Sequence, residues 1–376
     1  MEKAKVYFTK TITPENVIRM YEALGQALPG KVAVKVHSGE KGNQNFLRPE
    51  FMKPMIDAVN GTVVECNTAY GGERNTTDKH VKLMEYHGWS HYFDVDIMDA
   101  EGPDLELEIP NGKQIKKNYV GKHLSNYDSM LVLSHFKGHP MGGFGGALKQ
   151  LSIGCASSAG KSYIHSAGKV TDQDILWQNV APQDAFLESM ADAASSVVKH
   201  FGGNMAYVSI MCNMSVDCDC CAVAEDPCMK DIGILSSLDP VALDQACIDL
   251  IQNSDDPGRD HLIERIESRH GVLTVEAYDR GRKIGTQVLA EPGAPAALTL
   301  TCADGVVCDA VLRDANRRTT EKKRVIAGGQ QLFREDYEDT FSADDGLRRK
   351  LVDGIIDLIR KRELDHAARM RNLMKK

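Results

Sequence analysis

Four short runs rich in β-branched residues, at 31–36, 62–66, 130–133 and 206–211, alternate with helix-like stretches at 48–59, 78–87 and 182–200. This alternation constrains the chain more than any other feature. Strands separated by helices stack into a layered, mostly parallel α/β sheet with flanking helices. In such sheets, polar sites gather in the loops after the carboxyl ends of the strands. Three loops fit that position: 37–45, 67–74 and 135–146, each rich in glycine and polar side chains. Further along, Asp239-Pro240 reads as an N-cap and first-turn proline opening a helix through Ile251.

The 376 residues suffice for one large or two medium domains. An α/β domain is expected over 1–285. A Pro/Gly-rich linker at 290–295 then leads to a small α+β unit over 296–376, with a hairpin turn at Asp304-Gly305 and an amphipathic helix from Leu347 behind a Ser342/Asp345 capping box. The formal net charge of −8 supplies no general attraction to nucleic acid or anionic lipid. Neither is an expected partner; a small anionic molecule or cofactor, a redox partner protein and a second copy of the chain are. The first eight residues run into a strand pattern without an apolar signal core, and no stretch has the roughly 18 apolar residues of a membrane span. A cytoplasmic location follows as the expectation.

The segment Ser134-His135-Phe136-Lys137-Gly138-His139-Pro140-Met141-Gly142-Gly143-Phe144-Gly145-Gly146-Ala147-Leu148-Lys149 concentrates two imidazoles, two lysines and five glycines. Gly142, Gly143, Gly145 and Gly146 permit close backbone approach, so successive amides can line a concavity for an anion. Lys137 and Lys149 add countercharge. His135, His139 and, further on, His165 are candidate acid–base groups or metal ligands. Each feature has a bland reading too: glycine loops serve turns, and single histidines pack. Their coincidence is what points to a site. In the second loop, Asn67 offers hydrogen bonds and Arg74 an anion-binding guanidinium.

Five of the ten cysteines, Cys212, Cys218, Cys220, Cys221 and Cys228, fall in one segment. Clustered thiols in a reducing compartment suggest metal or redox chemistry, with an iron–sulfur cluster or another transition metal as the expected cofactor. Free cysteine is also commonly a small buried apolar residue.

The segments Lys35-Val36-His37-Ser38-Gly39-Glu40-Lys41-Gly42-Asn43, Asn67-Thr68-Ala69-Tyr70-Gly71-Gly72, Leu133-Ser134-His135-Phe136-Lys137-Gly138-His139 and Asp239-Pro240-Val241-Ala242 resemble the domain of unknown function 362 family, uncharacterised proteins associated with iron–sulfur centres. The resemblance covers about residues 1–280. Many members carry a ferredoxin-like four-cysteine insert that this chain lacks, which leaves Cys218, Cys220 and Cys221, together with His139, as metal-ligand candidates. Separately, His139, Gly143, Phe144, Gly145, Lys149 and His165 are similar to the pattern that holds a nickel-pincer nucleotide in lactate racemases, although Ala147-Leu148 departs from it. These likenesses imply a metal-dependent enzyme, in the first place an oxidoreductase acting on a small anion. A racemase or isomerase with a nickel-type cofactor, and a metal carrier or assembly protein, are the alternatives.

Overall fold

The structure, a computed structural model, describes residues 4–279, 287–290, 321–327 and 330–337. The chain divides into two compact units, 1–302 and 303–376. The first unit is built on one sheet of eight strands: β1 (Lys5–Thr9), β2 (Val32–Lys35), β3 (Thr62–Glu65), β4 (Val95–Ile97), β5 (Ser129–His135), β6 (Met205–Met211), β7 (Gly233–Ser237) and β8 (Gln287–Ala290). Their order across the sheet is β8-β1-β7-β6-β5-β2-β3-β4. All neighbours are parallel except at β7, which runs antiparallel to both β1 and β6. The expected fold class, layered and mostly parallel, is the observed one.

β5 and β6 are buried along their whole length. Sheets covered on both faces need such continuous apolar strands. Two apolar clusters, one on each face, seal them: one includes Met130, Val132, Leu148 and Leu243, the other Met52, Leu131, Leu133 and Val208. The helix Gln183–Phe201 supplies Ala194 and Val197 to the first cluster, and the helix Pro49–Ala58 supplies Met52, Met55 and Ile56 to the second. The helix Pro240–Gln252 starts where Asp239 Oδ1 accepts from the amides of Val241 (2.9 Å) and Ala242 (3.1 Å). Ser157 caps Ser158–His165 in the same way, its hydroxyl accepting from Gly160 N at 3.0 Å.

The strand after the cysteine segment lies inside the sheet, between β6 and β1, so the thiols occupy the long β6–β7 connection. A short hairpin, Lys137–His139 with Gly143–Gly145, follows β5, and Gly143 turns it with φ +78°. No helix among the described residues is long and apolar enough to cross a membrane. In the second unit, Glu321–Ala327 pairs antiparallel with Gln330–Tyr337. The linker beyond residue 290, the turn at Asp304-Gly305, the capping box and the helix from Leu347 lie outside the described residues.

Candidate functional site

The loops after β2, β3 and β5 and the β6–β7 connection converge on a cavity of about 190 Å³. Its wall includes His37, Arg74, His139, Lys149, His165 and Cys220. The cysteine turn is clamped from beneath. Asn43 Nδ2 donates to the carbonyls of Cys218 (3.3 Å) and Cys221 (2.8 Å), and Glu40 N donates to that of Asp219 (2.8 Å). The Asp219 side chain is fully buried and ion-paired to Lys137, with His135 Nδ1 3.1 Å away. Lys137 Nζ also reaches His135 Nδ1 at 2.6 Å, and His135 Nε2–H donates to the Cys212 carbonyl at 2.6 Å. Burial alone would raise the Asp219 pKa; Lys137 and His135 outweigh it and hold the carboxyl well below its usual range. His135 and Lys137, read from sequence as catalytic and anion-binding, thus form a buried bracket behind the thiol turn and do not line the cavity.

On the cavity side, one ligating atom each from His139, Cys218 and Cys220 lies within 4.8 Å of the others. This is a candidate Cys/His metal site. Two thiolates suit a soft or borderline transition metal. Cys221 is a free thiol that stands outside the group. Cys228 Sγ turns to the Met214 carbonyl (3.2 Å), and Cys212 is buried beside the His135 bracket. The four thiolates of a cubane cluster are therefore not assembled among the described residues. His139 enters in a specific tautomer. The amides of Met141 (3.1 Å) and Gly142 (2.8 Å) both donate to its Nδ1, so the neutral ring carries its proton on Nε2, 3.5 Å from Cys220 Sγ. A metal-bound imidazole normally keeps its proton on the nitrogen away from the metal. The fit is accordingly that of a dithiolate site, Cys218 with Cys220, beside an N–H donor.

The cavity is cationic. Lys149 Nζ lies 3.5 Å from Cys218 Sγ; burial opposes its charge, but Cys218 and Cys220 outweigh burial and raise its pKa. Lys161 is buried, donates to the Ala156 carbonyl at 2.6 Å, and is lowered by burial. Lys35 is neutralised by Glu65 at 2.6 Å and also donates to Gln150 Oε1 at 2.9 Å. Gln150 begins a π-helical turn through Gly154, where a Cβ would stand 2.8 Å from Lys35 Cε and 2.9 Å from Gln150 Oε1, so the glycine gives this lysine its room. His165 is the reverse of His139. Its Nδ1 faces the Lys161 carbonyl at 2.8 Å and must donate, leaving a lone pair on Nε2. Burial, reinforced by neighbouring cations, keeps both rings neutral: His139 well below its ordinary pKa and His165 at about 4.

The sequence matches the family described as domain of unknown function (DUF362) over residues 32–249, more than half the chain. The chain belongs to the DUF362 family. No curated protein matches it. Among solved structures, this DUF362 chain is similar to the lactate racemase apoprotein of Thermoanaerobacterium thermosaccharolyticum, at 13% identity and TM-score 0.34 over 55% of this chain and 50% of that one. It is also similar to a protein from Thermotoga maritima, at 9% identity and TM-score 0.37 over 69% and 60%. The chain therefore spans about half the length of the first and 60% of the second.

Of the residues singled out from the DUF362 sequence, the structure brings Arg74, His139, Lys149, His165 and Cys220 to one cavity, with Cys218 in contact with Lys149. It leaves Asn67 outside, hydrogen-bonded to Thr77 Oγ1 (3.0 Å) and facing His80. The amides that follow the glycine loop are already occupied: Ala147 N and Leu148 N both donate to Asp244 at 2.8 Å. Gly146 has its place because a Cβ there would lie 2.4 Å from Asp244 Oδ1, and Gly142, Gly143 and Gly145 shape the hairpin. The loop is thus closed by an internal carboxylate and is not an open anion cradle. Sequence reasoning passed over Lys35, His37 and Glu65 as site residues. The available signal was a lysine ending an otherwise apolar strand and a glutamate ending its parallel neighbour, since charges at such positions need each other.

Proposed function

We propose that this protein is a metal-dependent enzyme that transfers a proton on a small organic anion. The observation that carries the reading is the pair of oppositely fixed imidazoles in one cationic cavity, next to two thiols suited to a metal. His165 Nε2 is placed to accept a proton. His139 Nε2–H is placed to hydrogen-bond the oxygen on which negative charge grows. An anionic ligand would offset Lys149 and Lys161, the cations that help depress His165, and so raise that base toward neutrality. Held by Cys218 and Cys220, a transition metal would supply a Lewis acid at the cavity wall. The wider expectation of an iron–sulfur redox protein draws less support, because the thiols it needs are turned elsewhere.

The test is to purify the full chain without oxygen, measure bound metal, and incubate it in D2O with short hydroxy, keto and amino acids while following their α-protons by NMR. Metal lost from Cys218→Ser and Cys220→Ser but kept by Cys212→Ser, with exchange abolished in His165→Asn, is the expected result. Absence of exchange throughout the panel by metal-loaded protein would remove the proton-transfer reading.

A second reading has one observation in its favour. His139, Lys149 and His165, the positions similar to the cofactor pattern of lactate racemases, line the same cavity. Added mass on the Lys149 peptide would identify a covalently attached nickel-pincer cofactor, and an unmodified Lys149 in active enzyme would exclude it.

A further inference from the structure

The cavity wall holds two hydrogen-bond donors that face each other without a protein acceptor between them. The Gly39 amide donates to His37 Nδ1 at 3.1 Å, so that nitrogen holds a lone pair and the neutral ring carries its proton on Nε2. His37 is kept neutral by burial and then by Arg74, Lys149, Lys137 and Lys35 around it. Yet Nε2 faces Arg74 Nη1, a permanently protonated nitrogen, at 3.4 Å. The other guanidinium nitrogens are occupied: Nε donates to Glu40 (3.2 Å) and Nη2 to the Tyr70 hydroxyl (3.0 Å). Nη1 also lies 4.0 Å from Glu65 Oε1, beyond hydrogen-bond reach, and that oxygen already accepts from the Ser38 amide (2.9 Å) and hydroxyl (3.1 Å). Arg74 is 3% exposed, so bulk water is not its partner. Buried donors of this kind are almost always matched by an acceptor.

We infer that His37 Nε2–H and Arg74 Nη1–H form the binding fork for a carboxylate group of the substrate. This rests on the reading that the cavity receives a small organic anion, and it names the group and the residues that hold it. A planar carboxylate offers two oxygens to two adjacent N–H donors, the geometry for which arginine is suited. The positive charge of Lys149 favours the same anion. Glu40, fixed on Arg74 Nε, and Tyr70, fixed on Nη2, keep the guanidinium from rotating away. His37 is then a specificity residue: its Nε2–H is available only because the Gly39 amide holds Nδ1.

The experiment uses the full metal-loaded chain. Binding of oxalate and of inorganic phosphate is measured by calorimetry for the wild type, His37→Ala and Arg74→Lys, and 15N-histidine spectra of the wild type are recorded with and without oxalate. The expected result is oxalate binding weakened at least tenfold in each variant, with His37 in the Nε2–H form and its Nε2 resonance moved by oxalate. Equal oxalate affinity in wild type and variants, or an Nδ1–H tautomer at His37, overturns the fork while leaving the anion cavity standing. Binding of phosphate but not oxalate overturns the carboxylate assignment. Failure of the wild type to bind either anion overturns the cavity reading together with the fork. If Arg74→Lys does not fold, His37→Ala and the wild-type spectra decide.

Discussion

Acidification is the perturbation that addresses the buried imidazoles most directly. His37, His80, His139 and His165 are all held below their ordinary pKa, first by burial, with His80 at about 3 and His165 at about 4. Their unfolded counterparts titrate near 6.5. Below that pH the unfolded chain binds more protons than the folded one. Stability is therefore complete above about pH 6.5 and is lost as the pH falls toward 4. Asp244 acts in the opposite sense: burial, only partly offset by the Leu148 and Ala147 amides, raises it to about 7, so it contributes least stability at neutral pH and more as the pH falls. Four imidazoles less one carboxylate leave about three protons, with the depressed His87 and His200 set against the raised Asp104 and Asp249, and a slope of roughly 4 kcal/mol per pH unit near pH 5.5. Urea unfolding between pH 5 and 7, read as midpoint and slope, measures this. His80→Gln, at a ring that does not line the cavity, should lower the slope by about one proton, or roughly a third. A stability that is flat or rises from pH 6.5 to 5 would refute the placement of these rings as neutral buried groups.

Three further outcomes follow from the geometry. Lys137→Met leaves the Asp219 carboxylate buried without its cation, and chemical denaturation should show a loss of about 3–5 kcal/mol; the double variant with Asp219→Leu should recover much of it. Gly146→Ala places a Cβ 2.4 Å from Asp244 Oδ1 and should cost about 1–3 kcal/mol by separating that carboxylate from the Ala147 and Leu148 amides. Gly145→Ala meets its nearest neighbours at 3.7 and 3.8 Å, in Lys149 and Cys218, so calorimetry should find its Tm close to that of the wild type while metal binding is disturbed.

Much of the scaffold was legible because it follows from one-dimensional patterns. The runs at 31–36, 62–66, 130–133 and 206–211 became β2, β3, β5 and β6, since a central strand buried on both faces has to be apolar along its length. Asp239-Pro240 opened its helix because a capping carboxylate and a fixed φ act locally. The site was legible only in part. Density of chemistry-bearing residues drew attention to His139, Lys149, His165, Arg74 and Cys220, which share one cavity wall, but it could not separate them from His135 and Lys137, which stand near them in the sequence and turn to Asp219 instead. What each histidine can do is decided by the backbone group behind it. Paired amides leave His139 with an Nε2 proton, a carbonyl leaves His165 with an Nε2 lone pair, and a single amide turns His37 into a donor facing a guanidinium. Those partners come from the hairpin turn after β5, from one helical turn upstream and from the loop after β2, so which ring nitrogen carries the proton is a property of the folded backbone that no spacing of histidines encodes.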